Sequence, residues 1–180
     1  MRYAVYFGSF NPMHIGHMAI VEYLEQRADI DKVLLVVSPK NPLKKGEILS
    51  DAKLRLQSVI DYFKHHVSLK KVEVSDIEFH LTEPLYTINT LTELSNHQPN
   101  DQFILVIGAD NLAIIEKWHN YQNLLQRFET WVFPRTGFDA DALCKKYGAT
   151  LIDAPLVDVS STMIREGEER GEDMGKFLPV

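Results

Sequence analysis

The chain reads Phe7-Gly8-Ser9-Phe10-Asn11-Pro12-Met13-His14-Ile15-Gly16-His17 directly after a short apolar run at residues 3–7. A pattern with helical spacing follows this stretch. A buried strand that ends in a glycine-containing turn and opens a helix presents backbone N–H groups that can bind a phosphate. The two histidines, three residues apart, are expected on one side of the first helical turn. The stretch therefore predicts a strand–turn–helix unit with a phosphate site at its turn.

Apolar, β-branched runs alternate with helical patterns along the rest of the chain. The further strand candidates are residues 33–37, 72–74, 103–107, 130–133 and 150–152. Apolar residues at helical spacing fall between them, at residues 52–63, 88–94 and 140–147. Such alternation is typical of βαβ units. It predicts an α/β fold in which a doubly wound, mostly parallel sheet carries helices on both faces.

No repeat, low-complexity tract or linker interrupts residues 1–180, so we expect one domain. In an open α/β sheet, ligands bind at the carboxyl ends of strands near a topological switch point. The tip of the first strand, at Gly8, is therefore the expected place for a site. Asp51 is predicted to cap the helix that follows a proline-containing loop at residues 38–46.

Composition narrows the classes of protein that the chain can represent. A membrane span needs about 20 consecutive apolar residues, and no run approaches that length. The N-terminus carries no secretory signal pattern, and the single cysteine, Cys144, suits a reducing compartment and a place in the core. We therefore expect a cytoplasmic protein.

Charge limits the kind of partner that the chain can bind. The formal net charge of −6 argues against nucleic-acid binding, which leaves a basic footprint. An anionic ligand must therefore be attracted by local positive groups. The candidates are Lys40, Lys44, Lys45, Arg135 and Arg165.

The first motif has a chemistry of its own. Gly8 and Ser9 lack bulk, so phosphates can approach the backbone there. His14 and His17 can donate hydrogen bonds to phosphate oxygens on which charge develops in a transition state. A zinc site is the alternative for a His-x-x-His pair, but no cysteine or carboxylate at metal-like spacing completes it, so we expect no metal bound directly by the protein.

A second motif, Ser160-Ser161-Thr162-Met163-Ile164-Arg165, lies near the other end of the chain. Ser160 or Ser161 can cap a helix whose first N–H groups and hydroxyls hold phosphate. Arg165 then projects from the first turn as a permanently charged fork for phosphate oxygens.

The two motifs together resemble the signatures of one superfamily. Gly8 to His17 matches the Gly-x-Phe-x-Pro-x-His-x-Gly-His pattern of the nucleotidylyltransferases, and residues 160–165 resemble their second signature. Within that superfamily the chain is similar to the nicotinate mononucleotide adenylyltransferases, bacterial enzymes of NAD synthesis. The similar segments are the lysine-bearing loop at 39–45, the helix start at 86–91, and the stretch 107–110 with Trp118-His119. Leu43 stands where many members carry histidine, while Lys44 takes the lysine place.

The resemblance implies a Rossmann-like nucleotidylyltransferase fold and a role for each matching residue. The groups that would bind the triphosphate are His14, His17, Lys44, Arg165, Ser161 and Thr162. Backbone groups of Gly8, Ser9 and Phe10 would line the site. Gly108 and Asp110 would contact the adenosine, and Thr87 and Trp118 would recognise the nicotinate.

The implied reaction joins ATP and nicotinate mononucleotide into nicotinate adenine dinucleotide and pyrophosphate, with Mg²⁺ held mainly by the ATP phosphates and water. Nicotinamide mononucleotide or phosphopantetheine is the alternative acceptor. A class I aminoacyl-tRNA synthetase fragment would share His14-Ile15-Gly16-His17, but the chain lacks a Lys-Met-Ser-Lys-Ser-like loop. A non-catalytic nucleotide sensor would carry altered histidines or an altered Arg165. Homo-oligomer formation and closure of the loop at 39–46 stay open.

Overall fold

The computed structural model of the protein describes residues 1–40 and 49–180, with side chains from residue 51 onward in the second range. Six strands form one sheet: β1 (Arg2–Gly8), β2 (Lys32–Val37), β3 (Val72–Ser75), β4 (Gln102–Gly108), β5 (Thr130–Phe133) and β6 (Thr150–Leu151). Their order is β3-β2-β1-β4-β5-β6, and every neighbouring pair is parallel. The six predicted strands and the doubly wound sheet are thereby confirmed, and the described sheet is parallel throughout.

Seven α-helices occur in the described ranges: α1 (Ile15–Glu25), α2 (Leu49–Lys64), α3 (Thr87–His97), α4 (Ala109–Ala113), α5 (Tyr121–Arg127), α6 (Ala140–Tyr147) and α7 (Ser161–Glu169). The periodic patterns predicted α1, α2, α3 and α6, and the second motif predicted α7. The short helices α4 and α5 were not predicted, because five or seven residues carry too little periodicity. Asp51 lies within the first turn of α2, so its predicted capping position was wrong.

Helices cover both faces of the sheet because neighbouring residues of β1 point to opposite sides. Ala4 and Tyr6 pack in one core with Leu24 of α1, whereas Val5 packs in a second core with Leu91 of α3. Full burial of each leucine contributes roughly 1.5–3 kcal/mol, and both are completely buried. Cys144 lies in the second core, as expected for a small apolar side chain.

The strand order places a crevice at the centre of the sheet. From β1 the chain moves outward to β2 and β3 and then returns to β4 on the other side of β1. The connections on either side of β1 and β4 therefore diverge, which opens space beyond the carboxyl ends of these two strands. Those ends are Gly8 and Gly108. None of the helices in the described ranges has the length and apolar character that crossing a membrane requires.

Candidate active site

A cleft of about 440 Å³ lies over the carboxyl ends of the central strands. Ten of the residues to which the resemblance gives a role line it: Gly8, Ser9, His14, His17, Thr87, Gly108, Asp110, Trp118, Ser161 and Thr162. They come from positions up to about 150 residues apart, and the sheet brings them to one edge. Phe10 and Arg165 lie beside the cleft, and Lys44 falls outside the described residues.

His14 and His17 begin helix α1 by capping it. The Nδ1 of His14 accepts hydrogen bonds from the backbone N–H groups of Gly16 and His17, at 3.0 and 3.3 Å. In return, the backbone N–H of His14 donates to the Nδ1 of His17 at 3.1 Å. This is the reciprocal arrangement of a capping box, built from two imidazoles. His14 is thus the N-cap of α1 and His17 the third residue of the helix, and their stacked rings lie on one side of its first turn, as predicted.

The capping arrangement fixes the chemistry of both rings. A neutral imidazole has one donor and one acceptor nitrogen, and here each Nδ1 is the acceptor. Each Nε2 must therefore carry the proton. Burial lowers the pKa of His14 to about 4, and the charge of Arg135 contributes in the same direction. The pKa of His17 is also lowered, first by burial and then by His14 and Arg135. At neutral pH the cleft thus contains two neutral Nε2–H donors.

Glycine is required at two positions of the first motif because rings occupy the space of a side chain. A Cβ added to Gly16 would lie 2.9 Å from the ring of His14. A Cβ on Gly8 would lie 2.9–3.1 Å from the ring of Phe10. Phe10 is buried and its ring packs edge-on against His17, with centroids 4.9 Å apart. The Phe10 side chain therefore packs against the ring of His17 and limits its movement.

The second motif docks onto the first. Ser160 caps α7 by accepting from the backbone N–H of Met163 at 3.1 Å, as predicted for one of the two serines. The hydroxyl of Ser161 donates to the carbonyl of Pro12 at 2.8 Å, and Arg165 donates to the carbonyl of Asn11 at 2.5 Å. These bonds hold the first turn of α7 against the turn that follows β1. The guanidinium of Arg165 also contacts Thr162 at 3.2 Å, so it is committed to the cleft rim.

A charged pair lies beyond the carboxyl ends of the neighbouring strands β4 and β5. Arg135 follows β5, and its Nε lies 3.8 Å from the Oδ1 of Asp110 at the start of α4. Gly108 makes room for this carboxylate, because a Cβ there would collide with Asp110 and approach the ring of Phe133 to 2.9 Å. Both charged side chains are partly exposed, so the pair adds little stability. Its effect is to place a positive charge in the cleft, close enough to lower the pKa of both histidines.

The N-terminus of α3 forms the other half of the cleft. Thr87 begins the helix, and Trp118 lines the same cleft from the segment that follows α4. The rings of Tyr86 and His119 stack with centroids 4.2 Å apart, which joins these two segments. The N–H groups of a helix start and an aromatic ring suit a planar anion. Thr87 and Trp118, which the resemblance assigns to the nicotinate, both line this cleft.

Sequence reasoning missed two buried charged residues that shape the site. Arg55 of α2 donates to the backbone carbonyls of Ser9, Ser38 and Pro39, and so ties together the turns after β1 and β2. Glu78 follows β3 and accepts from two hydroxyl groups; burial raises its pKa. Neither residue stands in a motif. Two features of the sequence could have revealed them: Arg55 is a charged residue on the apolar side of α2, and Glu78 is a charged residue shortly after a strand.

Similarity to known proteins agrees with this arrangement. A family model described as "Cytidylyltransferase-like" matches residues 5–167. A "Probable nicotinate-nucleotide adenylyltransferase" of Flavobacterium johnsoniae is 39% identical over 181 residues, which cover 99% of this chain and 92% of that protein. The protein of the same name from Bacteroides fragilis is 37% identical, over 97% of this chain and 85% of its own length.

Solved structures share the fold. The Plasmodium falciparum nicotinic acid mononucleotide adenylyltransferase complexed with NaAD has a TM-score of 0.83 at 20% identity, and the match covers 98% of this chain and 90% of that chain. The same enzyme complexed with APC has a TM-score of 0.79 at 19% identity, with the same coverage. The family match and the curated relatives extend this likeness from fold to family. The chain belongs to the cytidylyltransferase-like family and, within it, to the nicotinate-nucleotide adenylyltransferases.

Proposed function

We propose that this chain transfers the adenylyl group of ATP to nicotinate mononucleotide, which yields nicotinate adenine dinucleotide and pyrophosphate in NAD synthesis. The observation that carries the proposal is the pair of neutral Nε2–H donors at His14 and His17, held beside the N-terminus of α7 in one cleft. Fixed donors of this kind stabilise charge that develops on phosphate oxygens. The near full-length relatives named for this activity support the choice of substrates.

The proposed step is a direct in-line displacement. An oxygen of the mononucleotide phosphate attacks the α-phosphorus of ATP, and the bond from that phosphorus to the β-phosphate oxygen breaks. The electron pair leaves with pyrophosphate. Because the attacking phosphate is already anionic near neutral pH, the step needs no general base. Catalysis then consists of positioning and of charge stabilisation.

Each half of the cleft takes one part of the substrates in this proposal. His14, His17, Arg165 and Lys44 bind the triphosphate, together with the first turn of α7 at Ser161 and Thr162. Arg165 gives up its hydrogen bond to the carbonyl of Asn11 and donates to the phosphates from the rim of the cleft instead. Gly8 and Ser9 admit the phosphates against the backbone.

The two ends of the product lie at opposite sides of the crevice. Gly108 and Asp110 receive the adenosine, with the Asp110 carboxylate accepting from ribose hydroxyls. Thr87 and Trp118 receive the nicotinate. Arg135 was not among the residues assigned from the motifs, and its position on the wall suits the negative charge of the phosphates.

In this proposal, Mg²⁺ binds together with the nucleotide. In residues 1–40 and 49–180, no three His, Cys, Asp or Glu side chains converge as a metal site would require. The cleft carboxylate of Asp110 faces Arg135, and that of Glu78 is engaged by two hydroxyls. ATP phosphates and water would therefore hold the ion, which fits the usual ligands of Mg²⁺. When bound, the ion would neutralise charge on the leaving pyrophosphate.

The cellular context of the proposal follows from composition. A cytoplasmic location suits a chain whose one cysteine is a buried thiol. The net charge of −6 favours nucleotide ligands bound by local cations over a nucleic-acid partner.

The test is pyrophosphate release from ATP and Mg²⁺ with three acceptors compared: nicotinate mononucleotide, nicotinamide mononucleotide and phosphopantetheine. We expect nicotinate mononucleotide to give the highest kcat/KM. Preference for another acceptor would keep adenylyl transfer and remove the roles of Thr87 and Trp118. ATP binding without release for any acceptor would contradict the enzyme and indicate a nucleotide sensor.

A further inference from the structure

Glu78 is a buried carboxyl group that the proposed chemistry does not use. It lies in a 3-10 turn, Ile77–His80, directly after β3, and its side chain is 3% exposed. One oxygen accepts from the hydroxyl of Ser38 at 2.7 Å, and the other accepts from the hydroxyl of Thr90 at 2.6 Å. In the part of the chain that the structure describes, these two neutral hydroxyl groups are the hydrogen-bond donors to the two oxygens.

The two hydroxyls belong to segments that form different parts of the cleft. Ser38 follows β2, and its backbone N–H donates to the carbonyl of Gly8 at 2.9 Å. Thr90 lies in α3, about one helical turn after Thr87. Glu78 thus connects the tip of β1, where phosphates approach the backbone, to the helix that begins at the acceptor side. The connection runs through the β2–β3 half of the sheet, away from Gly108 and Asp110.

Stability alone does not account for a carboxylate at this position. Burial of a charge is costly, and apolar residues of similar volume at all three positions would avoid that cost. A carboxylate that accepts from two elements does, however, fix the distance and direction between them. A small shift of α3 would move Thr87 relative to the turn at Gly8, and misplacement on this scale costs reaction rate and affinity.

We propose that Glu78 is a positioning residue for the acceptor half of the cleft: by bonding Ser38 and Thr90 together, it sets the place of the α3 N-terminus relative to the turn after β1. This inference rests on the proposed function for the identity of the acceptor. It predicts that loss of the bond weakens use of the mononucleotide much more than use of ATP, because the adenosine side lies across the crevice.

Steady-state kinetics with each substrate varied in turn test the inference on Thr90→Val, Glu78→Gln and Glu78→Ala. We expect Thr90→Val to raise KM for nicotinate mononucleotide at least fivefold and to leave KM for ATP within twofold. Thr90→Ser keeps the hydroxyl and should restore the wild-type value. Thr92→Val is the control on the same helix: it removes a hydroxyl that donates to the carbonyl of Ile88 at 2.6 Å and accepts from Arg127 at 3.0 Å, but that does not contact Glu78.

The two glutamate variants compare a side chain of the same size that can still form both hydrogen bonds with one that can form neither. Glu78→Gln can keep both bonds if the Thr90 hydroxyl turns toward the carbonyl of Tyr86, 3.4 Å away, so we expect it to lie closer to wild type than Glu78→Ala. Should Glu78→Ala fail to fold, Thr90→Val and Ser38→Ala each remove one bond. Parallel changes in both KM values, or no change in Thr90→Val, would overturn the inference. Wild-type turnover tests the proposed function separately, so neither failure is mistaken for the other.

Discussion

His14 and His17 each accept a hydrogen bond from the other's backbone N–H, at 3.3 Å on the Nδ1 of His14 and at 3.1 Å on the Nδ1 of His17. Their rings stack with centroids 3.7 Å apart. The bonds that begin helix α1 are thus the same bonds that set the orientation and the tautomer of both side chains. Substitutions that keep the cap but remove the Nε2 donor can separate these two roles.

Replacement of His17 tests its role as a donor to phosphate. We expect His17→Ala to lower kcat by about 30- to 1000-fold, which corresponds to about 2–4 kcal/mol of transition-state stabilisation. The fold should remain intact, because the lost backbone contact is worth about 1 kcal/mol. Pyrophosphate release and urea unfolding measure the two quantities. An unchanged kcat would show that His17 is not a catalytic donor.

His14→Asn keeps the cap and removes the donor. Asparagine is a preferred N-cap residue, so its side chain can still accept from the first N–H groups of α1. We expect the free energy of unfolding to stay within about 1 kcal/mol of wild type, while kcat falls by at least about tenfold. Wild-type turnover in a stable His14→Asn variant would limit His14 to the structural role.

The low pKa of His14 makes stability depend on pH. The unfolded chain binds a proton at this side chain near pH 6.5, whereas the folded chain binds it only near pH 4. Between these values the unfolded state holds more protons than the folded state, so the free energy of unfolding falls as the pH is lowered. The stability that depends on a neutral His14 is fully present above pH 6.5 and is lost as the pH falls toward 4. The free energy of unfolding that is lost through His14 over this pH range is on the order of 3 kcal/mol.

Urea unfolding of wild type and His14→Asn at about pH 7.5 and about pH 5 isolates this contribution from that of the carboxylates. We expect a smaller loss in the variant, because asparagine does not titrate. Equal losses in both proteins would mean that His14 keeps its ordinary pKa in the folded chain.

Arg135 should influence the pH dependence of the reaction. Both histidines must be neutral to present their Nε2–H donors in the capped arrangement, so neither should add an inflection to kcat/KM near pH 6.5, and their share of the acidic decline should lie at lower pH. Arg135 lowers the pKa of both rings, after burial. Arg135→Gln is therefore expected to move the acidic decline to higher pH, by less than one unit because burial is the larger cause. A pH profile with an unmoved decline contradicts this coupling.

Gly16→Ala should damage activity without damaging the helix. Alanine is the better helix former by about 1 kcal/mol, but its Cβ would lie 2.9 Å from the His14 ring, which must then shift. We expect kcat to fall at least about tenfold, while the free energy of unfolding stays within about 1 kcal/mol of wild type because the gain in helix propensity offsets a weakened cap. Full activity in this variant would show that the ring has room to move without loss of function.

Arg55 holds the turns after β1 and β2 through three backbone carbonyls. Arg55→Met would leave those acceptors without this donor in a buried region, and we expect a loss of about 3 kcal/mol in the free energy of unfolding. Lys53→Met is the matched control on the same helix, because Lys53 is exposed and its loss should change stability by less than about 0.5 kcal/mol. Similar values for both variants would contradict the bridging role.

The sequence by itself determined the sheet and the location of the site. Apolar residues repeat with different periods in strands and in helices. The alternation of strand and helix segments that is typical of a doubly wound sheet could therefore be predicted from the sequence. The motif after β1 marked the turn that carries His14 and His17, and Ser160 marked the start of α7. Features of this kind can be predicted because they depend on residues that are close together along the chain.

Only the tertiary structure decided which groups act on one another across the cleft. Asp110 and Arg135 belong to different strand ends, Ser161 and Pro12 to opposite ends of the chain, and Glu78 to neither motif. Their roles arise from the burial of charge and from hydrogen bonds between segments that are distant in sequence. Even the tautomer of His14 depends on a ring folded back over Gly16. A sequence pattern records which residues are present, whereas their partners and their protonation follow from the packing of the sheet and its helices.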